Sequence, residues 1–372
     1  MPDHDVVIVG GGPVGLLLAC VLGRRGVDVV VCERRTGVDT RSRAIGIHRP
    51  GLDALDAAGA GEAVRREALA LEGGEVRSRG RVLASVEFSP RRPVLVLPQM
   101  RTDALLRGLV ERMPSAVLRT GAAVRAVHDD GTAVRVRVDE VTGAHEITAR
   151  FAVIADGVHS TLRTPLGARW RPRRGSADYA MLDVPDDRVS ARAVLHCEPD
   201  GLVESFPLPG GHRRWVVRRD AGRPADTVAA FGALIEERTG VRPVIPDGVA
   251  PVPFRVAQHV ASRLVAGRVA LLGDAAHEIS PIGGQGMNLG WAAALRLADA
   301  LVHAADGSPD LRAYERTTRR SAAIAQRRAA FYMAMGAPAS RLGASSRDLL
   351  IRALGSAPVR GWTSGLVTMR GL

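Results

Sequence analysis

The sequence predicts an α/β protein in which a nucleotide-binding domain on a parallel sheet is interrupted by a mainly β insert and completed by helices. Three observations carry this. A buried-strand run at residues 5–9 leads straight into Gly10-Gly11-Gly12-Pro13-Val14-Gly15 and an apolar helix. Strand-like runs at residues 151–155 and 269–272 each end at an acid beside a glycine, Asp156-Gly157 and Gly273-Asp274. Residues 171–268, lying between them, hold strand-like pieces and carry no phosphate-binding signal.

The totals narrow the class. A chain of 372 residues suggests roughly two domains, and 46% apolar residues is ordinary for a globular protein. No uninterrupted apolar run reaches the roughly 18 residues of a spanning helix, and residues 1–5 lack the basic head of a signal peptide. The expectation is a cytoplasmic protein with no membrane span. Cys20, Cys32 and Cys197 have no metal-ligand spacing and cannot all pair, which fits a reducing compartment and no metal. The net charge of +12 is carried by arginine alone, scattered among 39 acids, and aromatic residues make up 3% of the chain. That is too few for a base-stacking surface, so no nucleic-acid partner is expected. A basic surface that draws in anionic nucleotides is sufficient.

Gly10, Gly12 and Gly15 form Gly-x-Gly-x-x-Gly between a strand and the helix at 16–24. These positions suit a tight turn, close backbone approach to a pyrophosphate, and close helix–strand packing. A second strand at 27–32 ends at Glu33, whose carboxylate can accept hydrogen bonds from ribose hydroxyls; Arg34 follows it. Arg41 and Arg43 flank Ser42, either to neutralise a pyrophosphate or as a solvated loop. A helix is expected over 51–58. Alternation between 71 and 97 marks strands that leave the first domain, and a return at Gln99 precedes a helix over 102–113 capped by Thr102. Residues 122–156 read as a three-stranded meander that delivers Asp156, Gly157, His159 and Arg163. Asp156 and Arg163 either pair with each other or meet ribityl, phosphate or nicotinamide groups.

In the insert, strands are expected at 179–184, 192–196, 202–207 and 214–217, and a helix at 226–238. Tyr179, His196, Glu204, Phe206 and Trp215 are its candidate pocket residues, each with plain core or surface as the alternative. The run Val-Ala-Leu-Leu-Gly-Asp-Ala-Ala-His-Glu-Ile-Ser-Pro-Ile-Gly-Gly-Gln-Gly-Met-Asn-Leu-Gly at 269–290 places an acid at a strand end and then a glycine-rich helix start near Gly286. Free N–H groups and the positive dipole end there favour negative charge. Helices are expected at 291–303 and 311–335, with a last helix in the tail.

Three of these segments together resemble a known family. Gly-Gly-Gly-Pro-Val-Gly with Glu33, Ile-Ala-Asp-Gly-Val-His-Ser-Thr-Leu-Arg at 154–163, and the 271–290 run are similar to the three fingerprints of the single-component FAD-dependent aromatic-ring hydroxylases, the p-hydroxybenzoate hydroxylase type. Arg43, Gln99 and Asp103 also resemble family positions. The chain departs at Ser280, where a first proline is frequent, and at Ala293, where an aspartate is usual. The resemblance is to the short form without a thioredoxin-like C-terminal domain.

That resemblance implies an FAD-binding Rossmann-like domain of the glutathione-reductase type with an inserted β-sheet substrate domain and a C-terminal helical segment. Its boundaries would be 1–70, 98–170 and 269–330 for the FAD domain, 71–97 and 171–268 for the substrate sheet, and 331–372 for a helical tail. It implies tightly bound FAD, transient NADPH or NADH, and dioxygen, with one oxygen atom passing through a flavin C4a-hydroperoxide to an aromatic or polyketide-like substrate. Gly10, Gly12, Pro13, Val14, Gly15, Glu33 and Arg34 would serve the ADP half, Arg43 and Gln99 the middle, and Gly273 and Asp274 the ribityl chain. Asp156, Gly157, His159 and Arg163 would lie near the nicotinamide. Pro281, Gly283, Gly284, Gly286, Met287 and Asn288 would meet the flavin ring, with the Pro281 carbonyl toward the substrate and His48 or His196 as candidate bases. The assembly would be a monomer or homodimer. A reductase or dehydrogenase on the same scaffold, and a flavin-binding cyclase or scaffold without redox turnover, are the alternatives.

Overall fold

Short runs rich in valine and isoleucine, buried on both faces, line up in parallel at the centre of the molecule, as strands covered on both sides by helices do. The computed structural model describes the chain apart from residues 38–43, 92, 188–189, 221, 283, 304–310, 357–368 and 370–372. Its eight helices among the described residues are α1 Pro13–Gly23, α2 Arg49–Ala58, α3 Gly61–Glu67, α4 Gln99–Glu111, α5 Val228–Thr239, α6 Gln285–His303, α7 Arg312–Met335 and α8 Arg341–Gly355.

The first sheet is eight-stranded. His4–Val9 lies between Val29–Glu33 and Gly143–Ile154, with Ala116–Thr120 beyond one and Val269–Leu271 beyond the other, all parallel. The strand order therefore reverses on either side of His4–Val9, which makes the carboxyl ends there a switch point where ligands gather. The register brings Val9, Ile154 and Leu271 level. Their following loops consequently start side by side. Gly143–Ile154 is long enough to serve twice, pairing antiparallel with Val134–Glu140 before running parallel to His4–Val9.

Gly15 is fixed by packing, because a Cβ there would sit 2.1 Å from the Gly10 carbonyl oxygen. Pro13 stands in the first turn of α1, where a missing N–H costs nothing. α6 is tied to that turn by the Trp291 indole, which donates to the Pro13 carbonyl at 3.0 Å. α7 is tied to the sheet by Tyr314, whose hydroxyl donates to the Leu271 carbonyl at 2.7 Å. Ala293 lies wholly buried in this core. An aspartate side chain there would have to be accommodated among apolar neighbours.

The second sheet is seven-stranded, in the order Val252–Val256, Ala177–Pro185, His212–Arg219, Gly201–Leu208, Arg192–Glu198, Gly73–Ser78, Arg81–Glu87. Its two segments, distant in sequence, meet where Gly73–Ser78 runs parallel to Arg192–Glu198. α5 covers one face through Phe231, Leu234 and Ile235. The chain returns to the first sheet earlier than expected, since Ala261 and Leu264 already belong to that core.

Several local expectations are corrected. α4 begins a turn before Thr102, directly after Pro98, so Thr102 is a buried helical residue and not a cap. α5 starts later than expected, at Val228, because Thr227 caps it by accepting the Ala230 N–H at 3.2 Å. α3 had no counterpart in the sequence reading. Residues 331–355, expected as a helical tail, pack on the second sheet: α7 ends against it through Met333, and α8 is held there by Arg347, which donates to the Cys197 carbonyl at 2.6 Å. Among the described residues no helix is long and apolar enough to cross a membrane.

Candidate functional site

A cleft of about 1200 Å³ runs from the carboxyl ends of the first sheet to the inner face of the second. At its first end lie Gly10, Gly12, Pro13, Val14, Glu33 and Arg34. Gly10 has a φ of +112°, and a Cβ there would press to 2.4 Å from the Ala155 carbonyl oxygen, so only glycine lets the ends of His4–Val9 and Gly143–Ile154 come this close. Gly12 differs, because nothing lies within 4 Å of where its Cβ would stand. That emptiness faces the cleft.

Glu33 is 4% exposed and accepts the Gly11 N–H at 2.7 Å and the Arg35 backbone N–H at 2.9 Å. Burial pushes its pKa up, but the Arg35 guanidinium and these amides outweigh it and hold the carboxyl below its ordinary value. The Gly11 bond, which the sequence reading passed over, locks the carboxylate against the glycine turn. Part of its accepting capacity is thus already used by the fold.

Asp156 and Gly157 line the middle of the cleft with Gln99, Asp103, Gly273 and Asp274. Gln99 donates to Asp103 at 3.4 Å, across one turn of α4. Asp156 Oδ1 is buried with no hydrogen-bond partner, and burial, offset in part by the Ser160 hydroxyl, holds the carboxyl above its usual range. Arg163 does not reach the cleft. Its guanidinium donates to the Val158 and Gly157 carbonyls at 2.6 and 3.3 Å and stacks over Trp170 at 3.7 Å. It supports the loop that presents Asp156, and the two do not form an ion pair.

The start of α6 meets the cleft through Gly284, Gly286 and Met287, beside Pro281. Two expectations about its amides and carbonyls change. The Gly284 N–H donates to the Pro281 carbonyl at 2.8 Å, closing a turn between two groups expected to face ligands. Asn288 is wholly buried and works as a clamp: its Oδ1 accepts the His48 N–H at 2.8 Å, and its Nδ2 donates to the Gly46 and Gly284 carbonyls at 2.9 and 2.8 Å. Gly51 is required by this clamp, since a Cβ there would lie 2.1 Å from Asn288 Oδ1. Ser280 makes a turn of its own, accepting the Ile282 N–H at 3.2 Å. Arg43 and Gly283 lie outside the described residues, as do Arg41 and Ser42.

The far end of the cleft is apolar, walled by Met181, Leu195, Leu202, Phe206 and Val216 of the second sheet and by Tyr332, Met335 and Leu354 of the C-terminal helices. Strand alternation sorts the remaining candidates. Glu204 and Phe206 point inward. Trp215 pairs with Leu182 and packs against the opposite, helix-covered face. His196 pairs with Val203 on that same outer face, and burial lowers its pKa to about 4, so it is a neutral packing residue and not a cleft base. Tyr179 shares the inner face with Met181 but does not line the cleft; it is wholly buried and stacked on Phe254 with centroids 5.7 Å apart. His48 lines the cleft near Gly284. No group of three or more metal-binding side chains occurs among the described residues.

Comparison with known proteins follows the same geometry. The profile of a family described as FAD binding domain matches residues 3–331. The 12-dehydrotetracycline 5-monooxygenase/anhydrotetracycline 6-monooxygenase of Streptomyces rimosus is 34% identical over 318 residues, which cover 79% of this chain and 61% of that protein. A 3-(3-hydroxy-phenyl)propionate/3-hydroxycinnamic acid hydroxylase of Burkholderia cenocepacia is 31% identical over 359 residues, or 92% of this chain and 66% of that one. This chain therefore spans less than two thirds of the length of both curated relatives. The crystal structure of p-nitrophenol 4-monooxygenase from Pseudomonas putida superposes with a TM-score of 0.87 at 24% identity, over 99% of this chain and 98% of that one, which establishes the shared fold.

Proposed function

The chain belongs to the FAD binding domain family, and from that premise we propose that it is an NAD(P)H-dependent monooxygenase that places one atom of dioxygen on an aromatic or polyketide-type substrate. The observation that carries this reading is the continuity of the cleft, which joins a nucleotide-binding strand edge to an apolar chamber without a partition. Two relatives named for hydroxylation of aromatic and tetracycline compounds support it.

The residues fit the flavin nucleotide. Gly12 leaves open space at the cleft, Glu33 stands buried at the end of the second strand, and Asp156 offers a buried acceptor with no protein partner. Gly10, Gly12, Pro13, Val14, Glu33 and Arg34 would hold its ADP half, Gln99 and Asp274 its middle, and the start of α6 its ring. Bound FAD supplies the redox chemistry, taking electrons from the nicotinamide and activating dioxygen.

The chain's own contribution is to bind, orient and exclude water. The first turn of α6 offers a positive dipole end and backbone N–H groups toward negative charge on the ring, and Asn288 keeps that turn in place. Arg163 holds the Asp156 loop from behind. The apolar wall of the second sheet and α7 keeps the chamber dry, which strengthens every polar interaction inside it.

Purified protein should show a flavin absorption spectrum after incubation with FAD and gel filtration, and phenols should accelerate its NAD(P)H oxidation. A protein that retains no FAD would overturn the reading.

A further inference from the structure

Buried acids that serve the fold have partners. Glu33 accepts backbone and guanidinium donors, and Glu198, 5% exposed, accepts the Arg79 N–H with both oxygens at 3.0 and 2.8 Å. Glu204 is 3% exposed, and its Oε1 has no hydrogen-bond partner. It lines the apolar end of the cleft, flanked in register by Leu195 and Val216. A buried oxygen left unsatisfied is a cost to the fold, so the fold gains nothing from it.

The charged and titratable groups around Glu204 are committed elsewhere. Arg214, on the inner face, holds Asp183 with two bonds of 2.7 and 2.8 Å. Arg218 donates to the Met333 carbonyl at 2.9 Å. From the neighbouring strands come Tyr179, whose phenol burial and the nearby Glu204 keep protonated, and Cys197, whose thiol burial pushes up to about 12. From α7 comes Tyr332, likewise kept protonated by burial. Among the described residues no cation pairs with Glu204.

We propose that Glu204 recognises a hydroxyl group on the substrate ring and, when that hydroxyl is phenolic, accepts its proton. The phenol O–H bond breaks, a new O–H bond forms on the Glu204 carboxylate, and the electron pair stays on the phenolic oxygen; no oxidant is consumed. The ring thereby becomes richer in electrons before oxygen transfer. Burial raises the carboxyl to about 8, which places proton exchange with a phenol close to neutral pH. The substrate class this selects is a flat hydroxylated aromatic held between Val216 and Leu202 on one side and α7 on the other. This inference rests on the monooxygenase reading.

The test uses FAD-loaded protein titrated with α-naphthol and with its methyl ether, followed by the change in the flavin spectrum. FAD content serves as the folding control. Wild type should bind the naphthol at least about tenfold more tightly than the ether, and Glu204→Leu should abolish that preference. Because the bound pair holds one proton fewer than the free partners below the carboxyl pKa, naphthol affinity should rise about tenfold per pH unit towards about 8 and then level off until naphthol itself ionises. Glu204→Gln should bind naphthol without that rise. A wild type without hydroxyl preference, a Glu204→Leu variant that keeps it, or wild-type affinity that stays flat or falls as the pH rises towards about 8 would each overturn the proposal. If FAD stays bound and phenols still drive NAD(P)H oxidation in that event, only the role of Glu204 falls. Loss of FAD binding in wild type would instead remove the reading beneath it.

Discussion

Glu204 and His196 lie one strand apart on opposite faces of the same sheet, and burial acts on them in opposite chemical directions. Burial alone keeps Glu204 protonated to about 8, whereas it keeps His196 neutral down to about 4. For Glu204 the linkage sign is clear. The folded carboxyl holds its proton between the ordinary value of 4.5 and about 8, while the unfolded chain has released it, so wild-type stability falls as pH rises through that window. Glu204→Gln carries no such proton. Its thermal midpoint should therefore gain on wild type by several degrees as the pH is raised from below 4.5 to above 8, measured on the ligand-free protein. Parallel curves for the two proteins would show that the carboxyl titrates normally. His196 and His277, each lowered to about 4 by burial, act in the other direction and make the fold sensitive to acid.

At the scale of elements, the glycine turn before α1 separates folding from binding in neighbouring positions. A Cβ at Gly15 would meet the Gly10 carbonyl oxygen at 2.1 Å, so Gly15→Ala must push α1 off the sheet. Gly12 has an ordinary φ of −81° and open space around its Cβ position. Gly12→Ala should fold with an unchanged thermal midpoint without FAD and bind FAD at least about tenfold more weakly, because the methyl group occupies the ligand's side of the turn. Gly15→Ala should lose several degrees of stability before FAD is added. Equal FAD affinity in Gly12→Ala and wild type, read by flavin fluorescence quenching, would remove the pyrophosphate from that position.

These elements were legible in the sequence for a physical reason. Gly10, Glu33, Asp156 and Asp274 sit at or just past strand ends, and Gly15 in the first turn of the helix that follows, where hydrophobic runs stop and the next residues are set by local geometry. Residues whose role depends on contacts between distant segments were not legible. Asn288 reads as a cofactor residue beside a glycine-rich helix start, yet its partners are His48 and Gly46, which only the tertiary fold brings near. Arg163 reads as a partner either of Asp156 or of a cofactor group, yet it turns back on its own loop. Trp215 and Glu204 were equal candidates in sequence, and strand register alone sent one to the helix-covered face and the other into the cleft.

For the whole molecule, the cleft depends on segments far apart in the chain. The strands at 73–87 complete the sheet of the 177–256 insert, and α7 leaves the first sheet to close the chamber that the second one walls. The C-terminal helices read in sequence only as a helical tail, but Tyr332, Met335 and Leu354 form part of the wall. Nucleotide-binding edge and apolar chamber are therefore one cavity, and the proposed transfer of oxygen rests on that continuity. The most direct test supplies the FAD-loaded protein with NADPH, a phenolic substrate and isotopically heavy dioxygen, and weighs the product. Incorporation of a single heavy oxygen atom, absent without dioxygen, is the expected result. Product formed under anaerobic conditions, or product carrying no heavy oxygen, would contradict a monooxygenase and turn the same scaffold into a reductase or dehydrogenase.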